Sequence, residues 1–245
     1  MHAARSFLPV LLLLLPALVQ AQPAPSAAEL LARSIAWHDP EGRWATGAWR
    51  LTLAETAPGE EPGAATVLEI DNGRGRFVWS TERDGARLRG ELRGDECILT
   101  LNGSTEIAPA EREKHRLTCE RLPKLRNYFT YLWGLPMKLR DPGTRLDPEV
   151  RETTFEGRAV RALKITYAEG VGSDTWYFYL DRETSALVGY RFFHDEAKGD
   201  GEFIPLEGET TGGGLRLPRQ RSWFTNQDRK LLGTDTLVAI EPLER

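Results

Sequence analysis

Residues 174–181 read Asp174-Thr175-Trp176-Tyr177-Phe178-Tyr179-Leu180-Asp181. Trp176, Phe178 and Leu180 alternate with Tyr177 and Tyr179, so at the two-residue period of a β-strand both faces carry large apolar side chains. The adjacent Phe192 and Phe193 make the same demand of the next run. A strand buried on both faces needs cover on both. Helices are expected over one face, and a second sheet layer or an apolar cavity over the other.

Working outward, runs of strand character at 160–168, 174–181, 187–194, 201–209, 215–226 and 231–240 are separated by turn chemistry, including Glu169-Gly170, Gly212-Gly213-Gly214 and Gln227-Asp228. The first half has the same texture. Trp49, Leu51 and Leu53 share one face, and Leu68 with Ile70, Phe77 with Trp79, and Leu88 with Leu92 repeat the pattern between Asp71-Asn72-Gly73, Asp84-Gly85 and Gly94-Asp95 turns. Alternation continues through Cys97-Ile98-Leu99-Thr100-Leu101 and predicts a further strand in His115-Arg116-Leu117-Thr118-Cys119. Two helical signals punctuate the meanders. Ser26 with Glu29 forms a capping box ahead of Ala27, Leu30, Leu31, Ile35 and His38, and Asp39-Pro40 stops that helix. Pro123 opens the second, Leu125, Phe129, Leu132 and Trp133 follow at helical spacing, and Gly134 with Pro136 closes it. The expected fold is mainly β: a strongly curved antiparallel sheet or incomplete β-barrel of about 11 strands with a helical plug, since a sheet this large must curl, close or split.

The N-terminus supplies an address. Arg5 precedes an apolar run over 7–19, and Val19-Gln20-Ala21 offers a small-residue cleavage site, so residues 1–21 are read as a secretory signal peptide and 22–245 as one curved-sheet domain. The run is short for a membrane span, which needs about 20 apolar residues, and no cysteine follows the cleavage point to carry a lipid. A soluble exported protein, periplasmic or secreted, without stable membrane insertion is the expectation. Export makes Cys97 and Cys119 an expected disulfide, closing a loop worth about 3 kcal/mol in the chain-entropy model. Two buried free thiols are the alternative, and no C-x-x-C or histidine spacing supports a catalytic or metal role. The 245 residues carry a net charge of −4, with 40% hydrophobic and 9% aromatic. That excludes disorder and a disulfide-dense mini-protein, and it removes the basic excess expected of a nucleic-acid binder.

Several segments together resemble a family of exported bacterial proteins known only as a domain of unknown function. They are Trp37-His38-Asp39-Pro40, the tyrosine-rich block over 127–139 ending in Gly134-Leu135-Pro136-Met137, the run over 174–179, His194-Asp195-Glu196, Gly201-Glu202-Phe203, Trp223-Phe224-Thr225-Asn226 and Leu232-Gly233-Thr234-Asp235. That family has no activity to carry over. The element order is more distantly similar to the periplasmic lipoprotein-carrier superfamily, and this likeness implies an incomplete antiparallel barrel, plugged by helices, around a hydrophobic cavity that holds acyl chains.

Candidate site residues follow from the same pattern. Trp49, Phe77, Trp79, Trp176 and Phe178 are expected as the wall of an apolar cavity and Phe129, Trp133 and Met137 as its lid; core packing is the competing role for each. Basic residues gather at Lys124, Arg126, Lys138 and Arg140 and again at Arg216, Arg219 and Arg221. At a cavity mouth, Lys138 and Arg140 would hold an anionic head group, with His38, His194 and Asp195 completing a polar rim. The same His38-Asp39 and His194-Asp195-Glu196 pairs, with His115 or Asp200, define an alternative: a metal-assisted hydrolase or isomerase. A third reading is an envelope interaction module with a filled core. There is no G-x-S-x-G elbow, P-loop, dinucleotide fingerprint or H-E-x-x-H, so no cofactor is expected. The leading expectation is a protein that binds a hydrophobic or lipid-like small molecule without chemistry.

Overall fold

Hydrogen-bonded pairing follows chain order everywhere but at one seam. The computed structural model describes residues 24–244, and the signal-peptide reading of residues 1–21 lies outside them. Five strands form the first meander: β1 (Ala48–Thr56), β2 (Thr66–Asp71), β3 (Arg76–Arg83), β4 (Ala86–Arg93) and β5 (Glu96–Leu101). Seven form the second: β6 (Thr144–Phe155), β7 (Arg158–Tyr167), β8 (Thr175–Asp181), β9 (Leu187–Phe193), β10 (Glu202–Gly212), β11 (Leu215–Thr225) and β12 (Leu231–Pro242). The single seam pairs β1 with β12, placing Leu51 against Ile240 and Leu53 against Leu237, and yields one antiparallel sheet ordered β5-β4-β3-β2-β1-β12-β11-β10-β9-β8-β7-β6. It is curved and not closed.

Helix α1 (Ala27–His38) starts on the reciprocal Ser26–Glu29 capping box and buries Ala27, Leu30, Leu31, Ser34 and His38 along one stripe. Asp39 ends it and holds the next turn, its carboxylate accepting the backbone N–H of Arg43 (2.7 Å) and Trp44 (2.9 Å). Helices α2 (Pro109–His115) and α3 (Arg121–Trp133) connect the meanders, followed by a 3-10 turn at Met137–Arg140. Helix α3 lies on the first meander. A Cβ at Gly90 of β4 would stand 2.7 Å from the Leu122 side chain, so the missing side chain is what lets the helix approach. Helix α1 packs on β6 and β11, and its Leu30 and Leu31 join Leu132, Leu135, Leu139, Phe178 and Tyr190 in a second core.

The outer face has two different covers. Over the first meander, the buried carboxylate of Glu91 accepts bonds from Arg76 (2.7 Å), Arg89 (2.6 Å) and Arg93 (2.6 Å). Burial pushes Glu91 toward the acid form, yet these three guanidinium bonds pull its pKa down to about 2. Over the second meander, Phe155, Tyr177, Tyr179 and Phe203 form an aromatic layer, with Lys164 above Tyr177 (5.5 Å to the ring centroid) and Arg191 above Phe203 (5.2 Å). Phe155 curls across Gly189, where a Cβ would lie 2.1 Å from its ring. The two-sided apolar strands are thus covered by helices inside, and outside by rings roofed with cationic side chains rather than by a second sheet layer.

The expected curved antiparallel sheet of about 11 strands is present, with 12; the strand that shows no apolar alternation is β6, with Pro148 and mostly polar residues. Two expectations need correction. Residues 115–119 are not a strand: α2 starts with Pro109 in its first turn, ends at His115, and turns through Arg116 at φ 52°. Helix α3 begins at Arg121, which makes Pro123 its third residue. The disulfide is present, Cys97 to Cys119 with 5.9 Å between Cα atoms, and it ties the α2–α3 turn to the edge strand β5.

Candidate functional site

Strand pairing lines up one row of side chains at the end of the second meander. Trp176 of β8 stands opposite Phe192 of β9, Phe192 opposite Glu202 of β10, and Trp223 of β11 opposite Gly233 of β12. Helix α3 passes over this row and contributes Tyr128, Tyr131 and Leu132. Between helix and sheet lies a groove of about 600 Å³, completed by Leu232 and Asp235. Trp176 stacks on Phe192 (4.7 Å) and meets the edge of Tyr131 (5.8 Å). Trp223 donates its indole N–H to Asp235 Oδ2 at 2.9 Å.

Tyr131 and Trp176 also wall a second cleft of about 300 Å³, with Tyr167, Val171 and Asp174 on its far side. The Tyr131 and Tyr167 hydroxyls hydrogen-bond each other across the partition. Burial pushes both phenols up, Tyr167 to about 12, so both stay protonated. Large apolar side chains are left exposed at Tyr128 (47%), Val171, Leu232 (40%) and Val238, and among these described residues all but Val238 line one of the two clefts.

Behind the groove lies Arg221, fully buried on β11 and paired across the strands with Asp235. Its Nη2 donates to the Leu132 carbonyl (2.9 Å) and its guanidinium lies 3.6 Å from the Trp133 ring centroid. Burial lowers its pKa, and Tyr190 and Asp235 oppose that shift. Burial raises the Asp235 and Glu202 carboxyls, with the Trp223 bond acting against it at Asp235 and the His194 charge at Glu202.

The structure divides the expected wall and lid. Trp49, Phe77, Trp79, Phe129, Trp133 and Met137 belong to one buried cluster over the first meander, where Trp49 stacks on Trp44 at 5.2 Å. Phe178 is fully buried one step deeper than Trp176, which lines both clefts. Lys138 is salt-bridged to Asp141 and lines the 300 Å³ cleft with Tyr131 and Trp176; with exposed Arg140 it also borders a separate cleft of about 460 Å³ beside Trp44 and Met137.

The two histidines do not converge. His38 shares a hydrogen bond with the Arg216 carbonyl through Nδ1 (2.6 Å) and accepts the Leu187 N–H at Nε2 (2.9 Å), so both nitrogens are occupied. Burial pulls its pKa down to about 4 and keeps it neutral. His194 lies past the other end of β9, about 23 Å along the strand. It is exposed and bonded to Asp174 (2.9 Å), which raises its pKa. Asp195 caps a short 3-10 turn through the Ala197 N–H (3.1 Å). His115 is buried in α2. Among the described residues no three His, Cys, Asp or Glu side chains gather as a metal site.

Reasoning from periodicity missed Tyr128, Tyr131, Phe192, Glu202, Trp223, Leu232 and Asp235 as groove residues, and it placed Arg221 with surface arginines. Parity carried the second signal: Arg221 shares the strand register of Trp223. The resemblance segments carried the first, since Phe192 alone of the groove residues falls outside them.

The architecture matches solved structures at low sequence identity. A LolA superfamily protein from Nitrosomonas europaea superimposes with a TM-score of 0.53 at 9% identity, over 91% of this chain and 96% of that one, and shows the same fold. A putative outer membrane lipoprotein-sorting protein domain from Vibrio parahaemolyticus gives a TM-score of 0.44 at 11% identity, over 89% and 92%. The likeness in element order to the lipoprotein-carrier superfamily is therefore a likeness of fold. No functionally curated protein matches the chain. At the level of sequence, the model of a family of unknown function, DUF6503, matches residues 7–240, and the chain belongs to that family.

Proposed function

We propose that this protein is an exported binder of a hydrophobic or lipid-like small molecule, held without chemistry in the groove between α3 and strands β8–β12. One observation carries the reading: of the large apolar side chains left exposed, Tyr128, Leu232 and Val171 sit on the rims of two clefts that share Tyr131 and Trp176. Contiguous exposed apolar surface is uncommon on a monomer and marks interaction sites. A groove of about 600 Å³ lies within the range of small-molecule sites. Apolar burial, roughly 25 cal/mol per Å², supplies the driving force, and the few polar groups at the wall set orientation. The fold shared with the LolA superfamily protein supports the reading by analogy of scaffold. The apolar run over residues 7–19 and the Cys97–Cys119 disulfide support export.

Native mass spectrometry of residues 22–245 purified from a bacterial envelope, followed by solvent extraction, tests the proposal. The expected result is a bound apolar species that solvent removes and that a neutral fluorescent amphiphile replaces. Repeated recovery of empty protein that takes up no such amphiphile contradicts it.

A further inference from the structure

The charge of the groove specifies more than its shape. Of the residues that line it, the charged ones are Glu202 and Asp235, and no lysine or arginine is among them. Asp235 uses Oδ2 for the Trp223 indole, and its Oδ1 receives no donor among the described residues. The Glu202 carboxylate has neither hydrogen bond nor ion pair there, and the one cationic influence on it is the His194 ring, itself bonded to Asp174. Glu55 adds further negative potential at Asp235. Arg221, cross-strand from Asp235, acts against this from behind the lining, where it is fully buried and engaged by the Leu132 carbonyl and the Trp133 ring; Glu202 is the carboxyl on which no lysine or arginine acts.

Both carboxyls are therefore partly desolvated acceptors beside apolar walls, where like charge is poorly screened and a donor is strongly favoured. We infer that the groove selects amphiphiles whose polar end donates hydrogen bonds, an alkylammonium above all, and discriminates against those that end in carboxylate or phosphate. This rests on the proposed apolar binding and adds the class of head group. It also moves the head-group position from Lys138 and Arg140, neither of which lines the groove, to Glu202 and Asp235. An ammonium has three donors and no acceptor, which suits two acceptor-only side chains. The apolar chain then runs along Trp176, Phe192 and Trp223.

Displacement of the neutral fluorophore N-phenyl-1-naphthylamine by three twelve-carbon amphiphiles, each below its micellar concentration at neutral pH, tests the inference. Monododecanoylglycerol, which is uncharged, reports on amphiphile binding as such; dodecylammonium and dodecanoate report on charge. For the native chain, dodecylammonium is expected to bind at least about tenfold more tightly than dodecanoate. In the double variant Glu202→Gln and Asp235→Asn, dodecylammonium and dodecanoate are expected to bind within about twofold of each other. The amide oxygen introduced by Asp235→Asn still accepts the Trp223 N–H, but the change removes a countercharge of buried Arg221; should the double variant not fold, Glu202→Gln alone is expected to cut the ratio about threefold. Dodecanoate binding as tightly as dodecylammonium, or a ratio unmoved in folded variants, overturns the inference while leaving apolar binding intact. Failure of monododecanoylglycerol to displace the fluorophore from the native chain overturns both.

Discussion

The two halves of this sheet use the same aromatic residues to opposite ends. Over the first meander, Phe129 and Trp133 of α3 are buried in one cluster with Trp49, Phe77 and Trp79. Over the second, the same helix turns Tyr128 and Tyr131 toward Trp176, Phe192 and Trp223 and leaves a groove. The outer faces differ in parallel, an arginine cage around Glu91 on one side and cation-roofed rings on the other. One helix thus seals one half and only partly covers the other. An aromatic-rich curved sheet keeps a groove where its covering helix meets it with a phenol edge-on rather than with a buried indole.

The comparison breaks most readily at Trp133. Trp133→Ala removes a fully buried ring and the partner of Arg221, and it is expected to lower stability by about 3–5 kcal/mol in urea unfolding. Trp176→Ala, at the groove, is expected to lose less stability and to abolish amphiphile binding. The reverse pattern, with binding lost at Trp133 and stability lost at Trp176, would place the container in the first half.

Acid separates the halves next. His38 pins α1 to β9 and β11 as a neutral ring, with a folded pKa of about 4 against an ordinary value of 6.5. The unfolded chain binds this proton more readily, so the stabilisation is complete above pH 6.5 and is lost as pH falls toward 4, about 3 kcal/mol in all. Glu91 has the opposite charge logic but the same sign: its pKa is depressed from 4.5 to about 2, so its contribution is present above pH 4.5 and is lost only as pH falls toward 2. Hydrogen exchange at decreasing pH is expected to show α1 and its strands opening before β3 and β4. His38→Gln is expected to flatten the stability change between pH 6.5 and 4; an unchanged slope would remove His38 from the account.

The smallest effect lies on the outer face. Arg191→Gln removes one of the two cations above Phe203, the other being Arg229 at 4.5 Å, and is expected to cost about 0.5–1 kcal/mol in urea unfolding. No measurable change would mean that the aromatic layer is stable with Arg229 alone above it.

Most strands were legible because alternation or two-sided apolar character marks them directly, as in β8. Strand β6 was not, since an edge strand with Pro148 and charged residues is built to avoid further pairing rather than to show a buried face. Residues 115–119 imitated alternation because His115 and Leu117 are buried at a helix end and a turn, while exposed Cys119 is held in step by its disulfide to Cys97. The site was only partly legible for a similar reason. Period-two reading finds which side chains leave the sheet on one face, but not where the covering helix stands off. Trp49 and Trp176 look alike along their own strands; Trp44 stacks on the first and makes it core, while α3 leaves the second at the side of a groove.

Photo-crosslinking tests the central claim most directly. A neutral monoacylglycerol bearing a diazirine on its chain, irradiated with the protein and mapped by peptide mass spectrometry, is predicted to label saturably at Tyr128, Trp176, Phe192, Trp223 or Leu232. Labelling concentrated at Trp49, Phe77 or Trp79, or labelling that never saturates, would contradict the assignment of the groove as the binding site.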